Sequence, residues 1–211
     1  MKAIRSAAMG AALLGGALGL VPCAQATYIV SVVQDGSNVV ATGSGSYDLS
    51  ALSKGINTTE TALIVGSAGT LFVGPTTDTG ITIYVGISGP SQFGTGAEFL
   101  ANIGDGSLTG VSDGEDAIVV PSGYVSGTAL GTSTATWDNE TLSGLGITPG
   151  TYVWNWGSDA SADSFTLDIV APASTASVPE PASLTLLGTG LIGLILHLVF
   201  LRRSAASVKA A

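Results

Sequence analysis

Fifteen carboxylates with almost no partners decide what chemistry this 211-residue chain can do. The single histidine is His197 and the single cysteine is Cys23, one near each end. The long middle therefore cannot assemble a Ser-His-Asp or Cys-His pair of nucleophile and base. Imidazole or thiolate ligands for a transition metal are missing there for the same reason. What remains is oxygen chemistry. Two carboxylates at the right separation run glycoside hydrolysis, but most acids here stand beside Gly in turn-like strings, where solvated loop charge is the ordinary reading. The densest patch is Asp105-Gly106 followed by Asp113-Gly114-Glu115-Asp116. Hard oxygen ligands in a Gly-rich loop suit Ca²⁺, so Asp105, Asp113, Glu115 and Asp116 are candidate Ca²⁺ ligands, weighed against plain turn charge. Their spacing matches neither an EF-hand nor a nonapeptide Ca²⁺ repeat. No other cofactor and no catalytic residue is expected, which makes the chain a non-enzyme on this reading. Asn57-Thr58-Thr59 and Asn139-Glu140-Thr141 match the N-glycosylation pattern.

The charges are unevenly spread. Lys2 and Arg5 lie at the front, and Arg202, Arg203 and Lys209 at the back, so over Thr27–Ser177 Lys54 alone offsets fourteen acids, every one but Glu180, a balance of −13. Such a surface repels nucleic acid, whose phosphates need clustered Lys and Arg. It is compatible with divalent cations or with solubility outside the cell. With Cys23 in the leader, a mature protein has no disulfide, and packing must hold its core.

The elements that must position these acids read as strands. No sustained 3.6-residue apolar period runs through Thr27–Ser177, whereas short alternating or β-branched runs recur. Tyr28–Val33, Val39–Tyr47, Ala62–Val65, Thr70–Val73, Ile81–Ile87, Ala117–Val120, Thr132–Trp137, Thr151–Trp156 and Phe165–Ile169 are the candidates. Turn strings separate them: Asp35-Gly36, Gly89-Pro90, Asp105-Gly106, Asp113-Gly114, Pro121-Ser122-Gly123 and Pro149-Gly150. This pattern predicts an all-β ectodomain over 27–170, an antiparallel β-sandwich of jelly-roll or immunoglobulin-like type; no fixed-period repeat supports a β-helix. In Gly150–Gly157, Tyr152, Trp154 and Trp156 fall on one strand face. Exposed, they would make a platform for sugar rings; buried, they would be the heart of the core. The chain has only three Trp, and a domain without disulfides needs its bulk inside, which favours the core.

Both ends read as targeting segments. Residues 1–26 carry a basic start, the apolar run Met9–Val21 and an A-x-A site at Ala24-Gln25-Ala26, a signal peptide cleaved after Ala26. Thirteen mostly small residues are too short to span about 30 Å of hydrocarbon. A lipid on Cys23 is disfavoured by Pro22. Near the other end, Ala182–Leu201 has 20 residues and no formal charge apart from the titratable His197. A helix of that length crosses about 30 Å, and Arg202 and Arg203 directly after it hold the 202–211 tail in the cytoplasm and the ectodomain outside. In the 171–181 linker, Val178-Pro179-Glu180-Pro181 has two prolines that fix φ and disfavour helix, giving an extended segment that a processing enzyme could thread. A stiff spacer is the plainer alternative.

Pro179-Glu180-Pro181, an apolar helix, then Arg202-Arg203 resembles the PEP-CTERM sorting signal of Gram-negative bacteria. The resemblance implies an exported protein, recognised in the inner membrane by an exosortase that cuts near the motif, with Pro179, Glu180 and Pro181 acted upon rather than acting. It further implies delivery to the cell surface or matrix and an association with exopolysaccharide or biofilm. Two features depart from the usual pattern: eight residues follow Arg203, and His197 interrupts the apolar run. The strings Gly89–Gly94, Val120–Gly127, Leu145–Trp154 and Ala162–Leu167 are similar to an ectodomain recurrent among PEP-CTERM proteins, a likeness over about half the chain that brings no catalytic residues with it. The rival reading of the ectodomain is a glycan- or Ca²⁺-binding module.

Overall fold

The computed structural model describes residues 27–172 and 186–197. The chain divides into two compact units, Met1–Pro172 and Ala173–Ala211. In the first, thirteen strands make two sheets. The six-stranded sheet runs β12 (Gly150–Trp156), β13 (Asp163–Ile169), β1 (Thr27–Asp35), β2 (Asn38–Gly45), β11 (Thr132–Trp137) and β8 (Ile103–Asp105). The seven-stranded sheet runs β3 (Ser53–Glu60), β6 (Thr79–Val85), β10 (Ala117–Pro121), β9 (Thr109–Ser112), β5 (Thr70–Val73), β4 (Leu63–Val65) and β7 (Glu98–Leu100). Every pairing is antiparallel except β1 with β13, which run side by side from Thr27↔Ser164 to Val32↔Ile169. The expected all-β ectodomain of antiparallel-rich sheets is therefore present, and all nine strand runs read from the sequence fall on strands. β3, β7, β8 and β9 are additional.

The two sheets follow different rules. Strands of the six-stranded sheet alternate: Tyr28, Val30 and Val32 of β1 and Phe165, Leu167 and Ile169 of β13 are buried, with more exposed residues between them. This is the pattern of a sheet with one dry and one wet face. β5 and β10 do not alternate. All four residues of β5 are buried, as are the first four of β10, so the seven-stranded sheet is apolar on both faces. One face carries Leu71, Val111 and Ile118 in register across β5, β9 and β10, the other carries Phe72 and Val119, and all five belong to the hydrophobic core.

Aromatic rings join into one chain of contacts through that core. Tyr152 meets Phe93 (centroids 5.9 Å apart), Phe93 meets Trp154 edge-on (6.5 Å), and Trp154 meets Phe165 (5.7 Å). Phe165 then stacks on Tyr28 (6.1 Å) and Tyr28 on Tyr47 (5.0 Å), where Trp156 and Tyr124 close the column. Trp154 and Trp156 are buried and Tyr152 half-buried, while Thr151, Val153 and Asn155 face out. The core reading of these aromatics holds, and a three-ring sugar platform is excluded. Gly89 is needed beside this column, since a Cβ there would lie 2.4 Å from the Trp154 ring.

The four strings singled out in the sequence converge around the column. Gly94 bridges to Ile147, and Thr148 N–H donates to the Phe93 carbonyl. Tyr124 Oη accepts from Tyr47 N–H at 2.8 Å, and Ser126 Oγ accepts from Leu49 N–H at 2.9 Å. Asp163 receives the Asp48 and Ser164 N–H groups, each at 2.6 Å. These segments hold loops against rings. They do scaffold work.

Two buried polar groups in this region give measurable consequences. The Tyr28 hydroxyl is buried without a hydrogen-bond partner; burial pushes its phenol up to about 12 against an opposing pull from Ser133, whose own hydroxyl is committed to the Ser107 carbonyl at 2.7 Å. Removing an unsatisfied oxygen relieves desolvation, so Tyr28→Phe is expected to leave stability unchanged or raise it by up to about 1 kcal/mol in urea unfolding. Asp163 is buried, and desolvation raises its carboxyl to about 6 despite the two N–H donors. A folded value above the unfolded one, roughly 3.9, means the folded state holds its proton longer, so stability declines as pH rises from about 4 to about 6. The advantage of the native chain over Asp163→Asn should shrink as pH rises across that window; parallel stability–pH curves for the two proteins would contradict this.

Candidate functional site

The outer face of the seven-stranded sheet is built by register. Val119 of β10 lies opposite Ile83 of β6 and Gly110 of β9; Gly110 lies opposite Phe72 of β5; Phe72 lies opposite Leu63 of β4. Cross-strand partners share a face, so Ile83, Val119, Phe72 and Leu63 form one aliphatic and aromatic floor. Each is buried, yet together with Ile81, Val65, Thr70 and Ser112 they line an open cavity of about 360 Å³. A second cavity of about 280 Å³, lined by Gly55, Ile56, Ile83, Val85 and Glu115, shares Ile56, Ile83 and Glu115 with the first. The two are neighbouring parts of one trough. Ile56 is 66% exposed at its lip.

Three carboxylates stand over this floor: Glu60 at the end of β3, Glu98 at the start of β7, and Glu115 in the β9–β10 turn. Desolvation raises the Glu60 carboxyl above its ordinary range, and repulsion from Glu115, Glu98 and Asp78 adds to the shift. The sole Lys or Arg among the described residues, Lys54, pairs with Tyr84 and so belongs to the opposite face. Among the described residues no cation answers these charges.

The acidic turn can be compared with one of its neighbours. Asp113–Glu115 forms a single 3₁₀ turn followed by Asp116 in the left-handed region (φ 50°). Gly66–Ala68 followed by Gly69 (φ 56°) builds the same shape between β4 and β5 with no acid at all. The turn geometry therefore does not require the carboxylates. Asp113 has a local task, since its Oδ1 accepts from Trp154 Nε1 at 3.2 Å. Of the four candidate Ca²⁺ ligands, Asp113, Glu115 and Asp116 share this turn, whereas Asp105 sits on β8 in the other sheet with its Oδ1 bound to Gly106 N–H. Among the described residues no group of three or more His, Cys, Asp or Glu side chains is arranged to hold a metal ion. Another cleft, about 500 Å³, lies between Gln34, Leu142, Ile147 and Pro172 and contains no titratable side chain.

Val178, Pro179, Glu180, Pro181, Arg202 and Arg203 lie outside the described residues, as do Ala24 and Ala26 of the leader. Residues 186–197 are helical, with Leu186 and Leu187 72% and 67% exposed and Leu191, Ile192, Leu194, Ile195 and Leu196 all more than half exposed. Twelve residues reach about 18 Å, and no helix among the described residues is long and apolar enough to cross a membrane. The expected span at 182–201 extends beyond them at both ends.

Residues 177–203 match the family model of the PEP-CTERM protein-sorting motif. The chain thus carries a PEP-CTERM sorting motif, which implies an exported protein processed by an exosortase. No curated protein and no solved structure matches it.

The trough makes its own prediction. Replacing Glu98 and Glu115 together with Gln should lower the Glu60 pKa toward the ordinary glutamate range without fully restoring it, because desolvation remains. Carboxyl ¹³C titration reads this directly, and an unmoved Glu60 would separate it from its neighbours.

Proposed function

We propose that this chain is a non-enzymatic protein of the bacterial surface or extracellular matrix, associated with exopolysaccharide or biofilm. On this reading a signal peptide is removed after Ala26, residues 182–201 stop transfer in the inner membrane, and Arg202 and Arg203 hold the tail inside. The two-sheet ectodomain is read as a sandwich displayed outside the cytoplasm, and the exosortase cut near Pro179-Glu180-Pro181 frees it from its anchor.

The observation that carries this is the run of uncovered aliphatics at 186–197 inside the matched motif. A helix that exposes leucine and isoleucine all round is stable only where lipid or protein replaces water. The lack of histidine and cysteine in the ectodomain supports the non-enzymatic part, and the engagement of the four recurrent strings in scaffold contacts is in keeping with it. In an exosortase-bearing host, Glu180→Ala is expected to accumulate an uncut, membrane-retained form, while the native chain yields a shortened C-terminus by mass spectrometry. Equal processing of the two would reduce the segment to a simple stop-transfer anchor.

A further inference from the structure

We infer that the buried carboxylate of Asp163 is a built-in site for a primary ammonium, and that its ligand is the α-amino group of Thr27 once the leader is gone. This rests on the cleavage after Ala26 proposed for the leader. Removal of the leader then locks the newly cut end into the sheet.

Placement comes first. β1 lies between β13 and β2 in the six-stranded sheet. Asp163 opens β13, and Asp48 is the third residue beyond β2. The Asp48 N–H donates to Asp163 Oδ2 at 2.6 Å, and by register that bond crosses the sheet at the entrance to β1. Thr27 opens β1 opposite Ser164, and the two strands run the same way, so the Thr27 nitrogen lies on the side of its Cα nearer to Asp163. Neighbouring strands are about 4.8 Å apart, a gap that a terminal ammonium can close. Room exists as well: Thr27 and Asp163 line one cavity of about 160 Å³ with Asn155, Trp156 and Ser164.

The chemistry of the site asks for a cation. Asp163 is only 5% exposed, and its two oxygens accept one N–H each, from Asp48 and Ser164. An ionised carboxylate has about four acceptor positions, so two are left. The titratable groups that face it, Asp48, Tyr47 and Tyr124, bring no positive charge. Lys54, the one Lys or Arg among the described residues, is on β3 of the other sheet. The carboxyl pushed up to about 6 belongs to a chain with an uncharged peptide nitrogen at Thr27. Cutting after Ala26 turns that nitrogen into an ammonium, next to a carboxylate that the fold has already stripped of water. Opposite charges attract most strongly in such a place.

The test compares the full exported chain, purified in detergent, with a form that has serine and glycine inserted between Ala26 and Thr27, which displaces the amine by two residues. Intact mass first fixes where the exported chain starts. A start other than Thr27 would sink the cleavage reading and this pairing with it, whereas a Thr27 start with an ordinary amine would sink the pairing alone. In ¹⁵N titration the Thr27 amine should hold its proton at least about tenfold more tightly than an ordinary α-amine, whose pKa is about 7.7–8.0. Burial alone would move it the other way. By ¹³C titration, Asp163 should fall below about 6 in the Thr27 form and stay there in the inserted form. The decline of stability with rising pH is then a property of forms with a peptide bond before Thr27. Asp163→Asn should return the Thr27 amine to its ordinary range and leave the amine of the inserted form unmoved. Should that variant fail to fold, the two titrations of the unsubstituted forms still decide. Identical Asp163 titration in both forms, or an amine indifferent to Asp163→Asn, would overturn the assignment.

Discussion

The fold is held from Tyr152 to Tyr124 by rings that touch one another. Phe165, Tyr28 and Tyr47 stack near-parallel, Trp154, Trp156 and Tyr124 meet them at steeper angles, and Phe93 stands edge-on to Trp154, arrangements that suit the ring quadrupoles. Residues 27–172 contain no cysteine, so this column does the joining that cross-links do in many exported domains. It also sets the composition around it. Gly43 and Gly89 have no room for a Cβ against Tyr28 and Trp154, and the indole nitrogens of Trp154 and Trp156 reach out to Asp113 and the Asp48 carbonyl. The rings thus fix loops as well as sheets.

That arrangement explains why so much of the strand content is legible in the sequence. Tyr28–Val33 and Phe165–Ile169 alternate because each has one side on the column, and the alternation is the signal. The paired Asp35-Gly36 turn, with Gly36 at φ 60°, closes β1 on β2 as its composition leads one to expect. What escapes notice lacks that signal. Ser53–Glu60 is an exposed edge strand with a bulge between Lys54 and Asn57 and no apolar face to repeat. Thr109–Ser112 is buried, but with Thr, Gly and Ser at three of its four positions it carries little hydrophobic mark.

The trough was hidden for a different reason. Glu60, Glu98 and Glu115 are distant in sequence and come together only through the seven-stranded sheet, whereas the nearby acids Asp105 and Asp113 divide between the two sheets. One trace did exist. Thr70–Val73 and Ala117–Val120 are apolar without alternation, which marks a sheet with two dry faces rather than one. The sorting segment shows the opposite case: its information is a linear order of proline, glutamate, aliphatics and arginine, and no fold is needed to read it.

The side-by-side run of β1 and β13 has a mechanical meaning. Because both strands point the same way, Thr27 and Pro172 lie at opposite ends of the six-stranded sheet, roughly 20 Å apart along the six paired positions. Pulling on those two points would drag the strands lengthwise past each other and strain the ladder's evenly spaced hydrogen bonds all at once, instead of opening them one after another. A domain tethered through its C-terminal end and tugged at its N-terminal end would meet that load in shear, the direction in which a zipper of hydrogen bonds is hardest to part.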